Sequence, residues 1–248
     1  MDVTSREGSA LGRCALVGNG RLGRSLAVSL DGFDGPFGRG FDGRTDAGVP
    51  YDLVLLVVPD DEIGRAAEVL GDVRLVGHCS GALGVGVLAP REAFGVHPLM
   101  TVTDVVADFA GAGAAVAGTT PRALAAATEI ARRLGMHGFE IADEQRALYH
   151  AAASIAANFL VTLVDAADGL MSSVGAPPGV LAPLVRAALE NWIAQGGPRA
   201  LTGPLARGDE HTVALQRAAV MRHAPALVAM FDALAERTRA LALRARQS

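Results

Sequence analysis

The sequence predicts an α/β domain built on a doubly wound parallel sheet, followed by an all-α domain. Three observations predict it. A short apolar strand, Cys14-Ala15-Leu16-Val17, runs into Gly18-Asn19-Gly20-Arg21-Leu22-Gly23 and then into a helical stretch. Short apolar runs alternate with helical ones as far as Ile141, the pattern of β-α-β units. From Asp143 onward no convincing strand occurs, and clusters of Gly and Pro divide helix from helix. The boundary falls near Ile141, with 1–141 as a dinucleotide-binding domain and 142–248 as a helical domain for substrate and dimer contacts.

The glycine turn follows the spacing G-x-G-x-x-G. Gly18 permits the tight turn out of the strand. Gly20 lets the backbone approach a pyrophosphate, and Gly23 lets the helix lie close to the sheet. Asn19, Arg21 and Leu22 complete the loop, whose helix N-terminus offers free N–H groups to phosphates. The first helix reads as Leu22–Leu30, and Phe33–Phe37 is the best second strand. An acidic residue about 20 positions past the first glycine commonly holds the ribose of NAD. Here that place is Gly38-Arg39-Gly40. A guanidinium suits a 2′-phosphate, so Arg39 favours NADP over NAD. The alternative is a solvated Arg39, with Asp34 or Asp42 on the ribose.

Tyr51–Pro59 is the clearest strand, and its continuous apolar run from Leu53 to Val58 is what a strand buried on both faces requires. It ends in Pro59-Asp60-Asp61-Glu62-Ile63, where Asp60 or Asp61 suits the cap of a helix to Leu70. Ligands of open α/β sheets bind beyond the carboxyl ends of the strands, which directs Val58, Pro59 and Ile63 to the cofactor crevice. The strand Val73–Gly77 places Ser80 and Gly81 there too. Gly95–Met100 holds His97; Ala114–Ala117, a helix Pro121–Leu134 and Met136–Ile141 complete the domain. Beyond it, helices read as Glu144–Val174, Val180–Ala194, Glu210–Arg222 and Pro225–Arg246.

Composition narrows the function. The 248 residues carry a formal net charge of −4, which argues against a nucleic-acid surface. There is no lysine, so neither a lysine Schiff base nor a lysine acid is available. Cys14 and Cys79 have no metal-like spacing and are expected to be buried strand thiols of a reducing compartment. Met1–Gly12 is polar and mixed in charge, unlike a signal peptide. Mean hydropathy is positive, yet only Ala147–Val164 approaches the length of a span without a formal charge. It carries Tyr149, His150, Ser154 and Asn158, which a buried helix explains better than a membrane. The expectation is a soluble cytoplasmic protein with no nucleic-acid, membrane or metal partner.

His150, Ser154 and Asn158 stand four apart, close to one face of an α-helix. Their neighbours are apolar, so the stripe is expected to be buried, where polar groups need partners or a ligand. A domain with this glycine turn, followed by a long helix and an all-helical half, resembles the superfamily of 6-phosphogluconate dehydrogenase, ketopantoate reductase and pyrroline-5-carboxylate reductase. Ketopantoate reductases carry K-x-x-x-N-x-x-x-N on the corresponding helix. Here His150-x-x-x-Ser154-x-x-x-Asn158-Phe159-Leu160 has that spacing, with His for Lys and Ser for the first Asn. The chain looks most like a group that pairs a Rossmann-like domain with a helical domain of unassigned function. The matching stretches are Gly18–Gly23, His78–Gly81, His97-Pro98-Leu99, Tyr149–Asn158 and Gly203–Asp209.

The resemblance implies an NADPH-dependent reductase of a small 2-oxo acid, ketopantoate being the best single guess. His150 is then the proton donor, histidine being the side chain whose ordinary charge change falls near working pH. Ser154 and Asn158 hold the reacting oxygen. His97 is a second candidate in the substrate site, with His78 next. Arg207 would take a carboxylate, unless it merely pairs with Asp209. Alternatives are reduction of a cyclic imine, a deazaflavin-dependent oxidoreductase, and an NADP-binding sensor or scaffold without turnover. Related enzymes imply a homodimer formed through the helical domain.

Overall fold

The structure, a computed structural model, describes residues 11–103 and 106–245. It divides into two compact units, Met1–Ile155 and Ala156–Ser248. The division lies within the long helical stretch, past the 141/142 boundary expected from the loss of strands.

The first unit is a seven-stranded sheet in the order β2-β1-β3-β4-β5-β6-β7. The strands are β1 (Cys14–Val17), β2 (Phe33–Phe37), β3 (Leu53–Leu56), β4 (Leu75–His78), β5 (Ala93–Leu99), β6 (Gly113–Gly118) and β7 (His137–Glu140). β1 to β5 run parallel. The chain winds outward from β1 to β2, then crosses to β3 on the other side, so the order reverses between β1 and β3. Residues alternate between faces along each strand. Cys14 and Leu16 pack with Leu26, Leu30, Ala127 and Ile130 of α1 (Arg21–Ser29) and α3 (Pro121–Arg133) and their ends. Ala15 and Val17 pack with Ile63, Ala67 and Leu70 in and after α2 (Ile63–Glu68).

The sheet is mostly parallel, as the sequence implies, with one antiparallel pair. β6 pairs antiparallel to β5, with Leu99 opposite Gly113. A parallel neighbour needs a crossover, usually a helix. The described residues between Leu99 and Gly113 form no helix. α3 then supplies the crossover, so β7 is parallel to β6. Thr120 caps α3, its hydroxyl accepting the Ala123 N–H at 3.1 Å. Before α2, Asp60–Glu62 form a 3-10 turn without a side-chain cap, so neither Asp60 nor Asp61 caps that helix.

The chain is helical from Asp143 to Ser173. α4 (Arg146–Ser154) belongs to the first unit. A π turn (Ile155–Phe159) and α5 (Leu160–Ser173) come next. The second unit continues with α6 (Ala182–Gln195), the short turns α7 (Gly197–Ala200) and α8 (Pro204–Arg207), then α9 (Glu210–His223) and α10 (Val228–Ala245). Arg217 grips Asp232 with two bonds of 2.7 Å, tying α9 to α10. α5 and α6 contain no buried residue. The expected buried helix over Ala147–Val164 is therefore not found: none of these residues is buried. By length and composition alone, Asp143–Ser173 is long and apolar enough to cross a membrane.

Candidate functional site

The reversal of strand order opens a crevice at the carboxyl ends of β1 and β3, where such sheets bind ligands. Two backbone bonds set its floor: Gly18 N–H donates to Phe37 O at 2.9 Å, and Val57 N–H to Val17 O at 2.7 Å. The three glycines of the turn then differ in surroundings. Gly18 has φ +120°, and a Cβ there would sit 2.1 Å from the Val57 carbonyl oxygen. A Cβ on Gly23 would sit 1.9 Å from the Gly18 oxygen. A Cβ on Gly20 meets nothing within 4 Å, because it projects into open space. Gly20 starts α1 with no side-chain cap, so the helix presents its first N–H groups uncovered. The crevice, about 320 Å³, is lined by Gly20 to Gly23, by Val57 to Asp60 after β3, by Cys79 and Ser80 after β4, and by Val102. A glycine cradle, an uncapped helix start and an apolar wall fit a dinucleotide.

Other expected cofactor contacts fall differently. Asn19 is exposed beside the crevice, its carbonyl accepting from Arg24 Nη1 at 3.0 Å. Ile63 does not line the crevice: it is fully buried under the opposite face of the sheet, because α2 turns its first apolar residue inward. Cys79 lies one residue beyond β4 rather than in a strand; both thiols are free and buried, and burial pushes each up to about 12. Arg39 comes shortly after β2, exposed, with Nη1 3.5 Å from Glu62 Oε2. Asp34 sits inside β2 and accepts the Tyr51 hydroxyl at 2.9 Å. Asp42 accepts the Arg44 N–H at 3.0 Å.

The turn after β4 is built by side chains. Ser80 N–H donates to His78 Nδ1 at 3.2 Å, so His78 carries its proton on Nε2, 3.3 Å from the Gly84 carbonyl. Ser80 Oγ accepts the N–H groups of Ala82 and Leu83 at 3.2 and 2.9 Å. This turn presses Gly81 against a histidine pair. A Cβ on Gly81 would lie 2.8 Å from His97 Nε2 and 2.9 Å from His150 Cδ2. The two rings stand 6.2 Å apart at 74°. His97 Nδ1 is 2.7 Å from the Tyr149 hydroxyl. Burial, then the His150 charge, lowers His97 to about 4, and burial lowers His78 to about 4. Burial raises Tyr149.

Gly81, His97 and His150 thus meet next to the crevice residue Ser80. Two neighbours on α4 had no role in the sequence reading: Tyr149, named there only within a matching stretch, and Arg146. Arg146 is buried, its Nε donating to Asp143 Oδ1 at 3.1 Å. Its spacing of four from His150 was the available signal. The expected polar stripe is only partly realised. His150 and Asn158 are exposed and Ser154 is half-buried. The π turn also breaks the regular spacing, since an extra residue per turn rotates the residues beyond it. Asn158 and Arg207 lie in the second unit. Arg207 ends α8, and Asp209 uses both oxygens on Thr212, at 3.0 and 2.7 Å, capping α9.

The fold defines a class: a Rossmann-type α/β domain joined to a helical domain. Within it, the chain belongs to the family described as Domain of unknown function (DUF2520), matched over residues 113–238. Protein TM1727 from Thermotoga maritima has a similar structure, with 22% identity, 94% of this chain and 99% of that one covered, and a TM-score of 0.78. BF3122 from Bacteroides fragilis, an NADP oxidoreductase by assignment, gives 19%, 91%, 97% and 0.75. A 1-pyrroline-5-carboxylate reductase from Streptococcus pyogenes gives 12%, 92%, 97% and 0.54. At these identities the likeness is one of fold. No curated protein sequence matches the chain. The resemblance carried by the motifs holds at the level of family and fold.

Proposed function

We propose that this chain is an NADPH-dependent reductase of a small 2-oxo acid, with ketopantoate the first substrate to try. The observation that carries the reading is the convergence of His97 and His150 on Gly81, one residue from the crevice wall at Ser80. A reduced nicotinamide bound there supplies the hydride. Gly18 to Gly23 hold the pyrophosphate on the start of α1. Val58 and Pro59 pack on the nucleotide. Arg39 exchanges Glu62 for a 2′-phosphate; Asp34 and Asp42, the acids that would hold an NAD ribose, already accept other donors. As negative charge grows on the substrate oxygen, it needs a donor and then a proton. His150, exposed and four residues from Arg146, gives that proton. His97, held in place by Tyr149, keeps the oxygen in line. A second copy of the chain, docking through the helical unit, completes the assembly.

The test is NADPH oxidation with a panel of 2-oxo acids. Turnover by the wild type, with a fall of roughly 100-fold or more in kcat for His150→Ala, supports the reading. NADPH binding without turnover of any carbonyl or imine supports the sensor instead. Arg39→Ala should weaken NADPH binding by about 10-fold or more and leave NADH nearly unchanged. Equal losses for both would remove Arg39 from the site.

A further inference from the structure

Arg146 is 1% exposed. An arginine keeps its charge in any protein environment and carries five N–H donors. One of them, on Nε, reaches Asp143. Neither Nη1 nor Nη2 has a hydrogen-bond partner among the described residues. A buried charge left this incomplete is costly, and an apolar side chain of similar volume would serve packing better.

Its location is specific. Nη2 lies 3.2 Å from where a Cβ on Gly95 would be, and His78 Cε1 lies 3.8 Å from the same point. Gly95 and His97 are two apart on β5, hence on one face of the sheet. Arg146, Tyr149 and His150 are three and four apart on α4, hence on one face of the helix. Strand and helix periodicity therefore place the guanidinium on the side of β5 that carries His97 and on the face of α4 that carries His150. Asp143 occupies the Nε edge, which leaves the Nη1/Nη2 edge for a second planar pair of oxygens. That fork matches a carboxylate in bidentate geometry.

We infer that Arg146 is the anion anchor of this site, its Nη1/Nη2 edge taking the substrate carboxylate whose neighbouring carbonyl meets His97 and His150. The inference rests on the reductase reading for the identity of that carbonyl, and assigns to Arg146 the place first sought for Arg207. A 2-oxo acid is accepted and the matching uncharged ketone is not. Both nitrogens are closed to solvent, so a ligand oxygen reaches them through a side-chain shift of the kind common on binding.

Equilibrium binding of oxamate, a carboxylate that mimics a 2-oxo acid, to the NADP⁺-loaded full chain tests this. Oxamide is the uncharged control. Arg146→Met should weaken oxamate binding by about 100-fold, the size of a lost charged hydrogen-bonded pair. Oxamide should bind weakly and equally to wild type and variant, and the melting temperature should be no lower than wild type. Arg146→Lys keeps the charge without the fork and should lose roughly 10-fold; it carries the test if the Met variant does not fold. Oxamate binding equal to wild type in either folded variant overturns the anchor. Arg146-dependent oxamate binding without turnover of any 2-oxo acid overturns the reductase reading and keeps the anchor. Turnover of 2-oxo acids unaffected by Arg146→Met keeps the reductase and overturns the anchor.

Discussion

Gly18 and Gly20 belong to one turn but answer to different constraints. Alanine at Gly18 would combine a φ of +120° with a contact of 2.1 Å to the Val57 carbonyl. Its expected cost is roughly 2–4 kcal/mol of stability, read by urea unfolding. Alanine at Gly20 projects into open space, so it should cost about 1 kcal/mol at most, as a helix-cap change. The same methyl occupies the place proposed for the pyrophosphate, so NADPH affinity should fall about 10-fold or more. A Gly20→Ala protein that binds NADPH as tightly as wild type would remove the phosphates from this turn. The buried histidines make a pH prediction. His78 and His97 are held near 4 in the fold, whereas an unfolded histidine takes its proton near ~6.5. The unfolded chain therefore binds more protons between these values. Their contribution is complete above pH ~6.5, declines as pH falls toward about 4, and is flat below. His78 alone should remove about 2 kcal/mol between pH 7.5 and pH 5. His78→Gln should flatten the urea-measured slope across this window, and an unchanged slope would show that His78 does not set it.

At the scale of elements, the sequence disclosed those features that local spacing determines. The glycine turn, the apolar β3 and the Pro-started α3 are each written in a few consecutive residues. The antiparallel β5–β6 pair was not, because strand direction depends on whether the connection builds a crossover helix. The π turn at Ile155–Phe159 was hidden for a related reason: its residues suit an α-helix equally well, and the three-residue stripe was read on ideal α geometry. In the site, His150 could be seen and Arg146 could not, although the two are a turn apart. An arginine in sequence reads as surface charge, and only the fold, which sets its Nη2 beside Gly95, shows that this one is buried. The meeting of Gly81 with His97 and His150 joins residues far apart in sequence, beyond the reach of any periodicity. Local signals still decide element stability. Thr120 begins α3 by accepting the Ala123 N–H and also donates to Glu92 Oε1. Thr120→Ala should cost about 1–2 kcal/mol, with the urea midpoint shifted and the m-value unchanged. No shift would mean that the Pro121 start alone holds the helix.

At the scale of the molecule, the two units differ in what they bury. The sheet unit packs an apolar cluster on each face of its sheet. The helical unit leaves Leu184, Trp192 and Ile193 of α6 exposed at 66, 59 and 75%, and Val161 of α5 at 69%. Beside them an open groove of about 630 Å³ is lined by Leu160, Val164, Leu181, Val185 and Leu189. Monomeric proteins rarely leave contiguous apolar surface on this scale. A chain presenting two adjacent apolar helices is suited to a two-fold interface, in which each copy covers the other's patch. We therefore expect a homodimer through α5 and α6. Light scattering should give the wild type twice the chain mass. Trp192→Asp combined with Ile193→Asp should give a monomer, since each buries a charge that an interface cannot solvate. The sheet unit does not depend on that face, so NADPH binding should survive in the monomer. A wild type that is monomeric in dilute buffer, or that floats with lipid vesicles through Asp143–Ser173, would show that something other than a second copy covers these helices.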